Sequence, residues 1–576
     1  LLLLVVLLSL SGLFASRPVF AASTPIVSLN VPPAPLIGET LSFTATFDNT
    51  GTTPGYGPYV DLVLPAAGID GNDGLSFSSA AYLGSPLTPV VAPLTCTTGS
   101  FTHPLTNLPT SCTIGTQLVV LQLPFGSFTA DQPPAVISVN TSVSTLADLG
   151  APLTVQARAG FMFGNDALDN PATDPPVVQP GPTSASATPT LLRLTKTYLG
   201  PEDETTNSVN FPRQYRISVD VATGQTITSL DLTDVLPAAL QFVQVESLTG
   251  GTEVVDSRVT PSTSSPGGTL TRRLASVTGT AGANDATLTF TSYVAPTVGG
   301  TPVINPTSGD DVGLENQARA VGDWTPLDPR DAGATRNAVA DLPGPEHVLT
   351  AKAIAVQKGV SRQSDVGAPG YSPGDVLEYT LAFQLSDHFA FDQVTLADRF
   401  SDGQRFDASF APTLQINGNS YTLSASAFDA ANYTVDTSQI GNDTNPATDG
   451  STSVTFRLSD ELAARSLQSG RLLGGCVPLA GTGGPQPTCT SFNDGATEGT
   501  IVFRTIIQPN FSDTYLPANP SVDQGDRLSN DVTIDGRILN TANLTPTSER
   551  EADSSTVSIE IARGELQKTI YAVNGV

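Results

Sequence analysis

The sequence predicts an all-β protein built as tandem β-sandwiches, and three observations carry that prediction. Short runs rich in Val, Ile, Thr, Phe and Tyr alternate with clusters of Gly, Pro, Asn, Asp and Ser. No long helical stripe competes with them. A set of matching segments recurs along the chain, as it does in repeat proteins.

In chain order, the first element is the apolar run Leu1–Leu10, ending near Val19, Phe20 and Ala21 in a small-residue cleavage pattern. It reads as a secretory signal over 1–21 with its basic n-region missing. The run is short for a membrane anchor, and nothing later is long and apolar enough to span a bilayer. A divergent sandwich is expected over 22–165, with Leu41–Phe47 as a strand. A Pro/Ser/Thr-rich stretch at 166–190 reads as an extended linker. Sandwich repeats are expected over 191–348, with the strand Tyr215–Val221, and over 349–557, with the strands Tyr379–Phe383 and Val454–Leu458 and an insertion. Residues 558–576 read as the start of a further, truncated repeat.

Charge and cysteines narrow the setting. A net charge of -28 leaves no basic stripe for a phosphate backbone, which excludes nucleic acid as a partner. Acidity of this kind suits an extracellular protein and is compatible with calcium. The four cysteines pair by proximity, Cys96 with Cys112 and Cys476 with Cys489. They lack metal-ligand spacing, so two small-loop disulfides formed in an oxidising compartment are expected.

The repeat is marked by its lysines. Only four occur: Lys196, Lys352, Lys358 and Lys568. Three hold the same place in a first strand, Lys196 after Leu194, Lys358 after Val356 and Lys568 after Leu566. A later segment carries Asp234 in one copy and Asp398 in the next, 38 and 40 positions after the lysine. A late strand carries Asn316 and Asn530. Side chains alternate along a strand, so residues of equal parity share a face. Lys196 falls in register with Leu192 and Leu194, Asp234 with Leu232 and Leu236, and Asn316 with Leu314 and Ala318. Lys358, Asp398 and Asn530 repeat the pattern beside Val356, Leu396 and Val532. Each complete copy therefore points a Lys, an Asp and an Asn at its core. The divergent first copy has Leu62 where Asp is expected, Val155 where Asn is expected, and no Lys between Ile26 and Val31.

Burying such groups unpaired costs several kcal/mol, roughly, so a partnered arrangement is required. One such arrangement is a spontaneous Lys–Asn isopeptide bond. Burial favours the neutral amine and the protonated acid; the amine attacks the Asn carbonyl, and Asp234 or Asp398 assists as the acid. The cross-link residues would be Lys196 with Asn316 and Lys358 with Asn530, with the partner of Lys568 beyond the chain end. Two alternatives stand: a buried Lys–Asp salt bridge with Asn as a hydrogen-bond partner, or a register shifted by one that leaves the lysines solvated. Lys352 reads as an ordinary surface residue.

The segments around Lys358, the turn Ser372–Asp375 leading to Tyr379, Asp398 and Asn530 resemble the bacterial surface-protein repeat of the DUF-eleven kind and the related isopeptide-forming fimbrial domains. The resemblance covers both complete copies and the truncated one. It implies tandem immunoglobulin-like sandwiches in an elongated array, whose Lys, Asp and Asn can cross-link. The 191–348 copy departs from it in lacking the Gly-Asp turn, and the 349–557 copy has Arg399 and Phe400 in place of an apolar-Pro pair.

Other chemistry is sparse. There is no HExxH, Walker loop or GxSxG, and His103, His347 and His388 lie in separate copies without a triad. The chain is not expected to be an enzyme beyond a single-turnover autocatalytic step. Acidic turns at Asp70, Asp73, Asp166 and Asp443 are weak calcium candidates; they lack an EF-hand pattern and read first as plain turns, so no metal or cofactor is assigned. The expected function is a secreted or cell-surface structural or adhesive protein. Its partner would be a host, matrix or neighbouring-cell surface ligand, or itself in a filament. A polymerising filament or surface-layer subunit without covalent cross-links is the alternative.

Overall fold

Period-two alternation of buried and exposed residues builds the strands, as in Thr40–Asn49 and Val376–Leu385, where every second side chain enters the core. The computed structural model describes residues 23–562, apart from 165–174, 283, 332–335, 343–346, 367–369, 417, 424–432, 442–446, 478–495 and 514–518. The described residues form three successive two-sheet units, each a tandem immunoglobulin-like sandwich with its apolar faces turned inward.

In the first sandwich, one sheet orders Pro25–Asn30, Thr40–Asn49, Ala135–Val143 and Leu75–Tyr82, and the other centres on Leu153–Phe161, Pro58–Leu64 and Gln117–Gln122. The second sandwich sets Leu192–Tyr198, Arg213–Val221, Ala286–Val294 and Leu240–Thr249 against Gly268–Thr278, Thr226–Leu236, Gln317–Trp324 and Arg336–Leu342. The third sets a sheet led by Ile354–Ser364, Val376–Leu385 and Thr497–Ile507 against one containing Thr452–Arg457, Ala390–Phe400, Arg527–Leu539 and Pro546–Glu560. The short α-helix Leu458–Ala464 packs its Leu458 and Leu462 under the last of these sheets.

Three expected boundaries move. The stretch 166–190 is not wholly a linker. Thr183–Ala187 lies antiparallel to Leu153–Phe161, with Val155 opposite Ala185, and Val177–Val178 pairs with the far end of the same strand. Alternating small residues make this strand, so the usual β-branched signal is missing. Val348–Ala351 straddles the expected boundary at 348, pairing with Val312–Glu315 and with Thr205–Thr206. Pro546–Glu560 runs past 557 as the partner of Arg527–Leu539.

One irregularity recurs and sets the faces. In the strand Thr226–Leu236 the register slips between Thr228 and Asp231, and in Ala390–Phe400 between Asp392 and Thr395. Ser229 and Gln393 occupy these bulges with φ of 52° and 50°. The slip exchanges parity: Ile227 is buried before the bulge, and Leu230, Leu232 and Asp234 are buried after it. Holding a non-glycine residue in the left-handed region costs roughly 1–2 kcal/mol, an expense repeated in both sandwiches. The first sandwich has Gly57 at φ 62° in the matching place, as far ahead of Leu62 as Ser229 is ahead of Asp234.

The second and third sandwiches are tied at their junction. Asn210 donates from its backbone N–H and its Nδ2 to the two oxygens of Asp387, at 2.8 and 2.7 Å. Lys352 is no ordinary surface residue. Its side chain is 16% exposed and pairs with Asp553, with Asp311 at 3.7 Å. Its place between two sandwiches, not the parity of its own strand, decides this. Glu551 faces the same cluster, and burial together with Asp311 and Asp310 pushes its carboxyl up to about 7, against a partial opposing pull from Lys352. The folded chain therefore holds this proton while the unfolded chain releases it near the ordinary value of 4.5. The stability contributed is fully present below that value and is lost as pH rises through about 7. Because Glu551 is partly exposed, the effect is modest. The melting temperature of the wild-type chain should fall between pH 5 and pH 8 more than that of Glu551→Gln, compared by calorimetry at constant ionic strength.

Candidate functional site

Two matching sites lie inside the second and third sandwiches. In each, the lysine comes from the first strand of one sheet and the Asp from a strand of the opposite sheet; Asn530 lies on the strand beside Asp398, and Asn316 sits just before the first residue of Gln317–Trp324, the strand beside Asp234. In the second sandwich Lys196 stands on Leu192–Tyr198, opposite Ile217. Asp234 pairs with Ala318 across the facing sheet, and Asn316 lies two residues before Ala318. In the third, Asp398 pairs with Val532, again two residues after Asn530. The register is the same in the first sandwich, where Leu62 pairs with Ala157 and Val155 lies two residues before it. The apolar residues Leu62 and Val155 therefore stand at the Asp and Asn positions of the other two.

All six polar residues are buried. The side chains of Lys196, Asp234, Lys358 and Asp398 are each 0% exposed, and Asn316 and Asn530 are 0% exposed overall. Lys196 Nζ donates to Asp234 Oδ2 at 2.6 Å and to the Asn316 backbone carbonyl at 3.1 Å. Lys358 Nζ donates to Asp398 Oδ2 in the same manner. A register that leaves these lysines in solvent is excluded by this burial.

Aromatic rings wall off the amines. Lys196 Nζ lies 4.8 Å from the Tyr215 ring centroid; Lys358 Nζ lies 5.0 Å from that of Tyr379 and 5.6 Å from that of Phe503. Burial pulls Lys196 below its ordinary pKa, with Asp234 offsetting part of the shift, and burial pulls Lys358 well below. Burial pushes the Asp234 carboxyl up, against the opposing pull of Lys196. Both members of the pair move toward their uncharged forms, the condition under which an amine is a nucleophile.

The asparagines are the odd members. Neither Oδ1 nor Nδ2 of Asn316 makes a hydrogen bond, and the same holds for Asn530. The second oxygens of Asp234 and Asp398 also lack partners. The Tyr379 hydroxyl lies beside the Asn530 amide but donates to Gln404 Oε1 at 2.7 Å, leaving the amide without a hydrogen bond of normal geometry. Each site thus holds three buried unsatisfied atoms, costing about 1–3 kcal/mol apiece in a protein interior. The backbone, by contrast, is firmly placed: Asn316 N–H donates to the His347 carbonyl at 2.9 Å, and Asn530 is paired with Phe400 and Val557.

Cys96 and Cys112 form a disulfide across a sequence separation of 16. Cys476 is buried and disulfide-bonded. Cys489, the expected signal segment 1–21, Lys568, Asp166 and Asp443 lie outside the described residues. Among the described residues no helix is long and apolar enough to cross a membrane. Asp70 is exposed and Asp73 buried, and Asp148, which sequence reading passed over, lies beside them. Sequence reading also missed the aromatic wall. Parity was the available signal for Phe503, which alternates with buried Ile501.

No protein-family description matches the chain, and no curated protein matches it. Solved structures do align with it. Among them are the MSCRAMM ACE of Enterococcus faecalis (13% identity, 65% of this chain and 96% of that one, TM-score 0.17) and the full-length major pilin SpaD of Corynebacterium diphtheriae (12%, 70% and 78%, TM-score 0.18). A cohesin module from a family 33 glycoside hydrolase of Clostridium perfringens also aligns (8%, 29% and 97%, TM-score 0.18). At these scores the alignments carry no argument about function, and the architecture rests on the sheets of the chain itself.

Proposed function

We propose that this chain is an exported, cell-surface structural or adhesive protein in which the second and third sandwiches are each closed by a Lys–Asn isopeptide bond, Lys196 to Asn316 and Lys358 to Asn530. The observation that carries the reading is a buried amine held by Asp in a core that also buries an Asn amide with no hydrogen bonds, present in two sandwiches in one register. A salt bridge alone leaves the three unsatisfied atoms of each site as they are. The covalent product removes Nδ2 as ammonia and gives the two oxygens partners, because the new amide N–H can donate to the Asp and its carbonyl can accept the Asp proton.

The chemistry balances. Nζ attacks Cγ of the asparagine and forms a C–N bond; Asp234 or Asp398 gives its proton to Nδ2 and takes one from Nζ; the Cγ–Nδ2 bond breaks and ammonia leaves. The Asp ends as it began, protonated, and the step occurs once. Fixed proximity in a dry site supplies the drive. The first sandwich, apolar at all three positions, is assigned as a ligand-facing or capping unit, and the other two as load-bearing units. The partner is a surface ligand or a further copy of the chain. Export is supported by the acidic composition, the leader-like segment and the disulfide.

Intact-mass measurement tests this. The protein should be lighter than its sequence by two ammonia molecules, beyond the hydrogens lost to disulfides. Lys358→Ala should restore one of them and leave the other missing. A mass equal to that of the unmodified chain would remove the cross-link and leave the buried salt bridge.

A further inference from the structure

Outside the two lysine sites, the strongest unused cluster of charge is at the junction of the first and second sandwiches. The loop after Pro58–Leu64 carries Asp70 and Asp73, and the loop after Ala135–Val143 carries Asp148. A backbone bond joins the two loops, Ser144 N–H donating to the Gly74 carbonyl at 3.0 Å, and the second loop turns on itself where Ala147 N–H donates to the Ser144 carbonyl at 3.2 Å. Carboxylate oxygens of Asp70, Asp73 and Asp148 consequently all lie within 4.8 Å of one another.

The buried member has no hydrogen bond. The Asp73 side chain is 0% exposed, and neither of its oxygens makes one; Asp148 Oδ2 lacks one too. Among the described residues, the only cation facing the group is Arg330 of the second sandwich. Its Nη1 lies 2.7 Å from Asp70 Oδ1 and donates to the Gly71 carbonyl at 2.5 Å, while its Nη2 stands 3.7 Å from Asp73 and is engaged by Asp328 at 2.5 Å. One guanidinium thus answers three carboxylates, Asp70, Asp73 and Asp328, and the most deeply buried of them receives the longest contact. A buried carboxylate with no hydrogen bond, whose one cation stands 3.7 Å away and is shared with other acids, calls for further counter-charge.

We propose that Asp70, Asp73 and Asp148 hold a calcium-class divalent cation at this junction, with Arg330 clamping the outer side through Asp70 and Gly71. All-oxygen donors select a hard cation over zinc. Irregular loops accommodate the loose, six-to-eight-oxygen shell of calcium better than the strict octahedron of magnesium. Because Arg330 belongs to the second sandwich, the ion ties the two sandwiches together. The inference does not depend on the isopeptide bonds.

Titration calorimetry of the full, oxidised chain with calcium chloride is expected to show one equivalent bound, with a dissociation constant of about 10⁻⁴–10⁻³ M, the range of extracellular modules. Asp148→Asn and Asp70→Asn should each weaken binding at least tenfold, with circular dichroism and the melting curve without calcium unchanged. Asp256→Asn, an acid of an exposed turn in the second sandwich, should bind as the wild type does. Absence of binding at millimolar calcium would overturn the proposal. Binding undiminished by both substitutions would overturn it by placing the ion elsewhere.

Discussion

Asp398→Ala is expected to abolish the ammonia loss assigned to the third sandwich and to lower that sandwich's stability by about 3–5 kcal/mol, the usual result of removing one partner of a buried ion pair. Lys358 is left 0% exposed with no acceptor in place of Asp398. The missing tie adds in the same direction. A cross-link across a loop as long as the 120 residues between Lys196 and Asn316 contributes about 4–5 kcal/mol through the unfolded chain, by analogy with a disulfide, and the loop from Lys358 to Asn530 is longer. The two losses share one site and need not sum. Guanidinium unfolding followed by intact mass separates them: Asn530→Ala loses the tie but keeps the Lys358–Asp398 pair, so it should cost less than Asp398→Ala. Should Asp398→Ala still lack both ammonia molecules, the carboxyl has no part in the reaction.

Phe503→Ala should have the second large effect. The ring contacts four others, with centroids 5.4 Å from Tyr379, 5.8 Å from Phe456, 6.3 Å from Phe406 and 6.5 Å from Phe400, and it is itself fully buried. Its truncation should cost about 3–5 kcal/mol through the cavity it leaves. It should also change the chemistry, because Phe503 keeps water from Lys358. Burial is the leading cause that lowers the Lys358 pKa, so hydration raises it, and each unit of that rise leaves roughly tenfold less neutral amine at pH 7. Newly refolded Phe503→Ala should lose its third-sandwich ammonia more slowly than wild type, read by mass against time, and Phe503→Leu should fall between them. Equal rates in all three would mean that dryness at this ring does not govern the reaction.

The features legible in the sequence are those that follow from period-two alternation. Lys196, Asp234 and Asn316 could be set on the core face because their neighbours Leu194, Leu232 and Ala318 are apolar and share their parity. The bulges at Ser229 and Gln393 were not legible, since neither residue is a glycine and the parity count began downstream of both. The strand Thr183–Ala187 was hidden by its small residues, and the pinning of Lys352 by Asp553 depends on how one sandwich meets the next. Asp148 was missed for a similar reason. It joins Asp70 and Asp73 only through loop contacts that a linear spacing does not encode.

In both sites the amine is carried by one sheet and the amide by the other, and the apolar first sandwich reaches the same register with neither. The scaffold is therefore complete before any tie is made, and an unfolded chain has no means of bringing Lys358 to Asn530. Order in time follows from this. A chain moving through an export channel as an extended thread remains free of closed loops, however long transit takes. On the proposed reading, the reaction that makes the loop irreversible starts only where the two sheets meet, after export.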